Sequence, residues 1–184
     1  MIIVAGGDSF IWGSELADSP HGGPYGFSRS TFPALLADDY VCCAYPGIGN
    51  KEIASTMIAY INQTIDVKDI FVVVCWTWAT RDNDVNSDHH IRRLQELLES
   101  KRIPYMFTCA DNCIITGKLD YSKWFMFPLA TESWNTTEPR GFYQWAVENK
   151  YDVGPENHPL EQAHYDAAQL MKDTINELVK TSIQ

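Results

Sequence analysis

Residues 70–76 read Ile-Phe-Val-Val-Val-Cys-Trp, seven apolar side chains in succession. A strand with one wet face would alternate apolar and polar residues, and seven residues are few for a buried helix. A β-branched run without alternation predicts a strand covered on both faces, the pattern of a central strand in a parallel sheet. Parallel neighbours need crossover connections, and helices are the usual ones. This one stretch therefore constrains the whole chain to alternating strands and helices.

The flanking sequence supplies them. Ile2–Ala5 is a shorter apolar run ending at Gly6-Gly7, Val41–Tyr45 is stopped by Pro46-Gly47, and Pro104–Cys109 makes a fourth strand. Helices are predicted between the strands. One spans Pro33–Asp38 behind the hydroxyls of Ser30 and Thr31. A second runs from Lys51 to Gln63 behind Asn50, with Ile53, Met57, Ile58 and Ile61 on one face. A third runs from Ser87 or Asp88 to Lys101, with Ile91, Leu94, Leu97 and Leu98 inward. Gly141–Asn149 is a short helix. Leu160–Lys180 is the longest, with Ala163, Ala167, Leu170, Met171, Ile175 and Leu178 as its core stripe. Residues 110–139 show no period. This order predicts α/β layering in a single domain, 1–184: a three-layer α/β/α sandwich on a mostly parallel central sheet. Sites in such folds lie beyond the carboxyl ends of the strands. The informative loops are those starting at Gly6, Pro46, Trp76 and Ala110, and the segment before the last helix.

Composition narrows the chemistry. With 14 basic and 24 acidic residues the net charge is −10, which repels phosphate backbones and anionic membranes. No nucleic-acid or membrane partner is expected; a small neutral molecule or carbohydrate ester fits best. The N-terminal residues lack a basic segment ahead of a long apolar one, so the expectation is a cytoplasmic protein or a virion component. The five cysteines are odd in number and form no Cys-x-x-Cys clip. They are expected to be free, buried thiols in a reducing compartment, with no zinc site. Asp82, Asp84, Asp88, His89 and His90 resemble a metal cluster but fit a solvated helix start better. Eight aromatic residues lie in Tyr121–Trp145, from Tyr121 and Trp124 through Trp134 to Tyr143. They read as a satellite core under a long loop or as a stacking wall for a sugar or acyl chain.

Several loop residues carry chemistry. Ser9 follows the first strand directly, after Gly6-Gly7-Asp8, where it reads either as a helix cap or as a nucleophile at the sheet edge. Gly49 and Asn50 follow the second strand and could present amide donors. Thr77 offers a hydroxyl at the tip of the third strand. Beyond it, Arg81 could hold an anionic group or pair with Asp82 or Asp84. His158 stands before Pro159, which holds it extended on a rigid loop ahead of the last helix, a sound mount for a general base. His164, inside that helix, reads as structural.

Each fragment has a bland reading, but their joint order resembles the SGNH (GDSL-type) hydrolase family. The matching residues are Gly7-Asp8-Ser9-Phe10, Gly49 and His158-Pro159. The stretches Gly7–Leu16, Trp76–Arg81 and Gly154–His164 resemble phage and bacterial members in particular. The resemblance implies a flavodoxin-like SGNH fold and a serine esterase acting on short acyl esters, such as O-acetyl groups on carbohydrate. No cofactor is implied. By it, Ser9 is the nucleophile and His158 its base, and the oxyanion is held by Ser9, Gly49 and a third donor; where the family has an asparagine for that role, this chain has Thr77 or Trp78, and Thr77 is the expected donor. Asp8, Asn50, Trp76, Trp78 and Arg81 would border the substrate. The family's acid lies three residues before the histidine, where this chain has Pro155. Glu156, Asp152 or a backbone carbonyl is left to orient the imidazole. The alternative is an SGNH-like module that binds a glycan or partner without turnover. A flavin or phosphate binder on the same layers is disfavoured by the bulk of Phe10, Ile11 and Trp12.

Overall fold

All seven side chains of Ile70–Trp76 are buried, as a doubly covered strand requires. The computed structural model describes residues 1–19, 26–64, 69–82, 87–129 and 139–182. Four strands, β1 (Ile2–Gly6), β2 (Tyr40–Cys42), β3 (Ile70–Trp76) and β4 (Tyr105–Cys109), form one sheet in the order β2-β1-β3-β4. Every pairing is parallel, with Val4 opposite Val41 and Val72, and Val74 opposite Phe107.

Among the described residues five α-helices accompany the sheet: α1 (Ser9–Trp12), α2 (Asn50–Gln63), α3 (Ser87–Ser100), α4 (Phe142–Glu148) and α5 (Glu161–Ser182). Successive strand residues point to opposite faces. Val4, Val72, Val74, Trp76 and Phe107 pack on one face against Ile53, Met57 and Ile61 of α2 and Ile91, Leu94 and Leu98 of α3. Ile3, Ala5, Phe71, Val73 and Met106 pack on the other against α1, α4 and the Ala163, Ala167, Met171 and Ile175 stripe of α5. The three-layer α/β/α architecture is therefore the one expected.

The departures are local. Pro33–Asp38 forms only a three-residue 3-10 turn, Ala34–Leu36. Six residues cannot repay helix nucleation, and the segment instead buries Phe32 and Ala34 against the α5 side. Leu170 is exposed and Leu178 only partly buried. The aromatic-rich segment is mostly core: Trp124, Phe127, Phe142 and Trp145 are buried, while Trp134 lies outside the described residues. All five cysteines are free; Cys75 and Cys109 are buried, but Cys113 is exposed.

His164 is buried in α5, where its Nδ1 accepts the Phe32 backbone N–H at 3.1 Å. Burial, and secondarily the nearby His158 ring, push its pKa down to about 3. The unfolded chain titrates this histidine near its ordinary value, so stability is fully present above about pH 6.5 and is lost as pH falls toward about 3. The expected slope from this group is about 1.4 kcal/mol per pH unit in that window. Urea unfolding of the parent and of His164→Gln between pH 7 and pH 5 should show a flatter profile in the variant; parallel profiles would refute the assignment.

Candidate active site

β1 delivers the chain to the carboxyl edge of the sheet, and Asp8 then opens α1. Asp8 is fully buried. Its carboxylate accepts the Phe10 N–H at 3.0 Å and the Thr77 hydroxyl at 2.6 Å, and lies 3.3 Å from the Arg81 guanidinium. Asp8 thus ties the turn carrying Ser9 to the tip of β3. The backbone bonds of the turn run from Ile11 and Trp12 to the Asp8 carbonyl, so the Ser9 N–H is not consumed by them.

From the other end of the chain, the loop before α5 is closed by a bond from the Gly154 N–H to the His158 carbonyl at 2.8 Å. It presents His158 beside α1, with the Phe10 ring edge-on at 5.4 Å. Ser9 and His158 line one cavity of about 390 Å³, together with Ser14, Pro46, Gly47, Arg81 and Glu156. Among the described residues no hydrogen bond joins the Ser9 hydroxyl to the ring; such contacts often tighten only with substrate in place.

The carboxylate on the imidazole belongs to Glu15. Its Oε2 lies 2.7 Å from His158 Nδ1, and its oxygens also accept the backbone N–H of Glu156 at 3.1 Å and of His158 at 3.4 Å. Burial alone would raise the Glu15 pKa; the hydrogen bonds from the His158 ring and these two amides, with the ring's charge, outweigh it and hold the carboxyl below its usual range. Two backbone features seat it. Glu15 itself adopts φ 69°, a left-handed conformation that costs roughly 1–2 kcal/mol in a non-glycine residue. At Gly154 a Cβ would fall 2.6 Å from both Glu15 oxygens, so a side chain there would displace the carboxylate. Neither expected acid touches the ring. Glu156 serves through its backbone N–H, and Asp152 is exposed, its carbonyl accepting the Leu160 N–H. The sequence hint for Glu15 was slight: an acid just past the Gly13 cap of a short helix, where the helix dipole disfavours negative charge.

Other expectations are also corrected. The Thr77 hydroxyl is spent on Asp8 and its N–H on Asn50 Oδ1, so Thr77 has no donor left for a substrate. Asn50 is fully buried and caps nothing; its Nδ2 donates to the Thr77 carbonyl and to Ser87 Oγ, which pins α2 and α3 to the end of β3. The α2 cap is Gly49, buried with the Asp82 carboxylate packed where a side chain would be. The neighbouring Gly47, at φ 79°, borders the cavity. Trp76 points into the opposite core, edge-on to Phe107. Asp8 is structural rather than open to substrate. Arg81 pairs with Asp8, not with Asp82, whose carboxylate accepts the Lys51 N–H; Asp84 lies outside the described residues. Asp88 accepts the Thr116 hydroxyl.

Trp78 and Arg81 do border the site. A second cavity of about 400 Å³ adjoins the first through Arg81, Glu156 and His158, and its wall is Phe10, Trp78 and Tyr143. Trp78 stands edge-on to Phe10 at 5.5 Å, and Tyr143 stacks on Phe10 at 6.1 Å. Asp8→Ala should strand the Phe10 amide and the Thr77 hydroxyl, at about 1–3 kcal/mol for each unsatisfied group. The melting temperature should fall by about 4–24 °C; a variant melting with the parent would show that the Asp8 contacts do not support the turn.

No family model matches the chain, and no curated protein matches it. Among solved structures, it matches a protein from Desulfitobacterium hafniense DCB-2, provisionally classed as lipolytic and of the G-D-S-L family, at 14% identity. The match covers 94% of this chain and 98% of that one, with a TM-score of 0.53. That likeness is one of fold: nearly the whole chain shares the layered α/β architecture of a G-D-S-L protein.

Proposed function

We propose that the chain is a serine esterase that transfers a short acyl group to water through an acyl-enzyme on Ser9. The observation that carries this reading is the 2.7 Å contact between Glu15 and His158 Nδ1 at the edge of the cavity that Ser9 lines. A carboxylate on Nδ1 keeps the proton there and leaves Nε2 free to accept one. In this reading His158 takes the Ser9 proton as Oγ attacks the ester carbonyl, then returns it to the leaving alcohol. Water repeats the sequence to release the acid. The Ser9 N–H and the backbone at Gly47 are suited to hold the oxyanion.

Charge and shape suggest the substrate. Glu15 and Glu156 stand beside the reacting centre, which disfavours an anionic ester. The aromatic wall of Trp78 and Tyr143 suits a flat or ring-shaped alcohol, and a sugar carrying an O-acetyl group meets both conditions. Assays with p-nitrophenyl acetate and with an O-acetylated oligosaccharide test the reading. Release of acetate from either supports it. Oligosaccharide binding without release would make the chain a binding module instead.

A further inference from the structure

The two cavities meet at Arg81, whose side chain is about one-third exposed. Building on the esterase reading, we propose that Arg81 is the side-chain oxyanion donor of this site. Two of the donors at the tip of β3 are spent. Thr77 gives its hydroxyl to Asp8 and its amide to Asn50, and Asn50 gives its side-chain amide to Thr77 and Ser87. Arg81 directs Nη1 at Asp8, 3.3 Å away, and its guanidinium lies over the Trp78 ring at 5.6 Å. A guanidinium carries five N–H donors in a fixed plane, so one contact with Asp8 leaves donors for the cavity. Asp8 and Trp78 hold that plane before any substrate arrives, and such preorganisation is what makes a donor effective against a developing charge.

The electrostatics favour the same residue. The charge His158 gains with the Ser9 proton is matched by the Glu15 carboxylate on its Nδ1, so an oxyanion forming beside Glu156 still calls for a further cation; Arg81 is the permanently charged one among the described residues lining either cavity. Ser14, which also lines the nucleophile's cavity, can offer only a neutral hydroxyl. As the Ser9 Oγ–carbon bond forms, the carbonyl π pair moves onto oxygen and the guanidinium stabilises that charge without giving up a proton. When the intermediate collapses, the C=O bond reforms, the C–O bond to the alcohol breaks, and the alcohol leaves with the proton from His158.

The test measures kcat and KM for p-nitrophenyl acetate with the parent, Arg81→Met, Arg81→Gln, Arg81→Ala and Ser14→Ala. Arg81→Met is expected to lose about 10²–10³ in kcat, with KM little changed. Arg81→Gln, which keeps a hydrogen-bond donor beside Asp8, should lose nearly as much. Guanidinium ion at sub-denaturing concentration should restore part of the activity of Arg81→Ala, whereas urea should not. Parental kcat in Arg81→Met or Arg81→Gln overturns the proposal. So does a loss that guanidinium leaves unrelieved while the melting temperature drops, since Arg81 would then only support Asp8. A larger kcat loss in Ser14→Ala than in Arg81→Met overturns it in favour of the hydroxyl. A parent without hydrolysis and without fluorophosphonate labelling of Ser9 removes the esterase reading, and this assignment with it.

Discussion

Ser9→Ala is expected to reduce kcat for p-nitrophenyl acetate by at least about 10⁴-fold while the chain melts close to the parent temperature. Removing the nucleophile of a Ser–His unit leaves only the background from binding and oxyanion stabilisation. The fold should barely notice, because among the described residues the Ser9 hydroxyl makes no hydrogen bond that the substitution would break. Its carbonyl, which accepts the Gly13 and Ser14 amides at 2.9 and 3.0 Å, is untouched. Kinetics and a thermal melt on the same sample decide the matter. Hydrolysis surviving in the variant would move the nucleophile elsewhere; lost activity with a collapsed melt would make the residue a structural one.

Glu15→Gln should be nearly as damaging, with kcat lower by about 10³–10⁴-fold. The glutamine can present an N–H to His158 Nδ1 where the carboxylate accepts one. Nδ1 then becomes the acceptor, the proton moves to Nε2, and the ring can no longer take the Ser9 proton. Size and shape are preserved, so the loop from Gly154 to His158 should stay in place; circular dichroism and melting check this. Asp152→Asn, at an exposed position away from the ring, is the matched control and should stay near the parent. A kcat for Glu15→Gln within tenfold of the parent would contradict the assigned role of Glu15.

The contrast between Glu15 and the acids expected near His158 shows what a single sequence can carry. β3 was legible to the residue because burial on both faces leaves an uninterrupted apolar run. α2 and α3 were legible to within a residue or so because their apolar stripes repeat at the helical period. Local rules marked Ser9 and His158 as loop residues of interest but left Ser9 open between a helix cap and a nucleophile; their pairing was an expectation from the resemblance, and the structure sets both on one cavity. Glu15 meets His158 across 143 positions of chain, a contact made by the sheet topology rather than by any local pattern. Searching near His158 therefore favoured Glu156, whose actual contribution is its backbone N–H to Glu15. Thr77 and Asn50 failed for a related reason. Sequence reveals that a residue has donors, but only the fold reveals that Asp8, Thr77 and Ser87 have already taken them. Pro33–Asp38 failed because a six-residue helix depends on its surroundings more than on its own propensity.

The central claim is that Ser9, His158 and Glu15 form one reactive unit, and a fluorophosphonate probe tests it most directly. Time-resolved labelling followed by peptide mapping should place the adduct on Ser9 of the parent, none on Ser9→Ala, and much slower labelling in His158→Ala and Glu15→Gln. An adduct on another residue, or labelling of His158→Ala at the parental rate, would contradict the account.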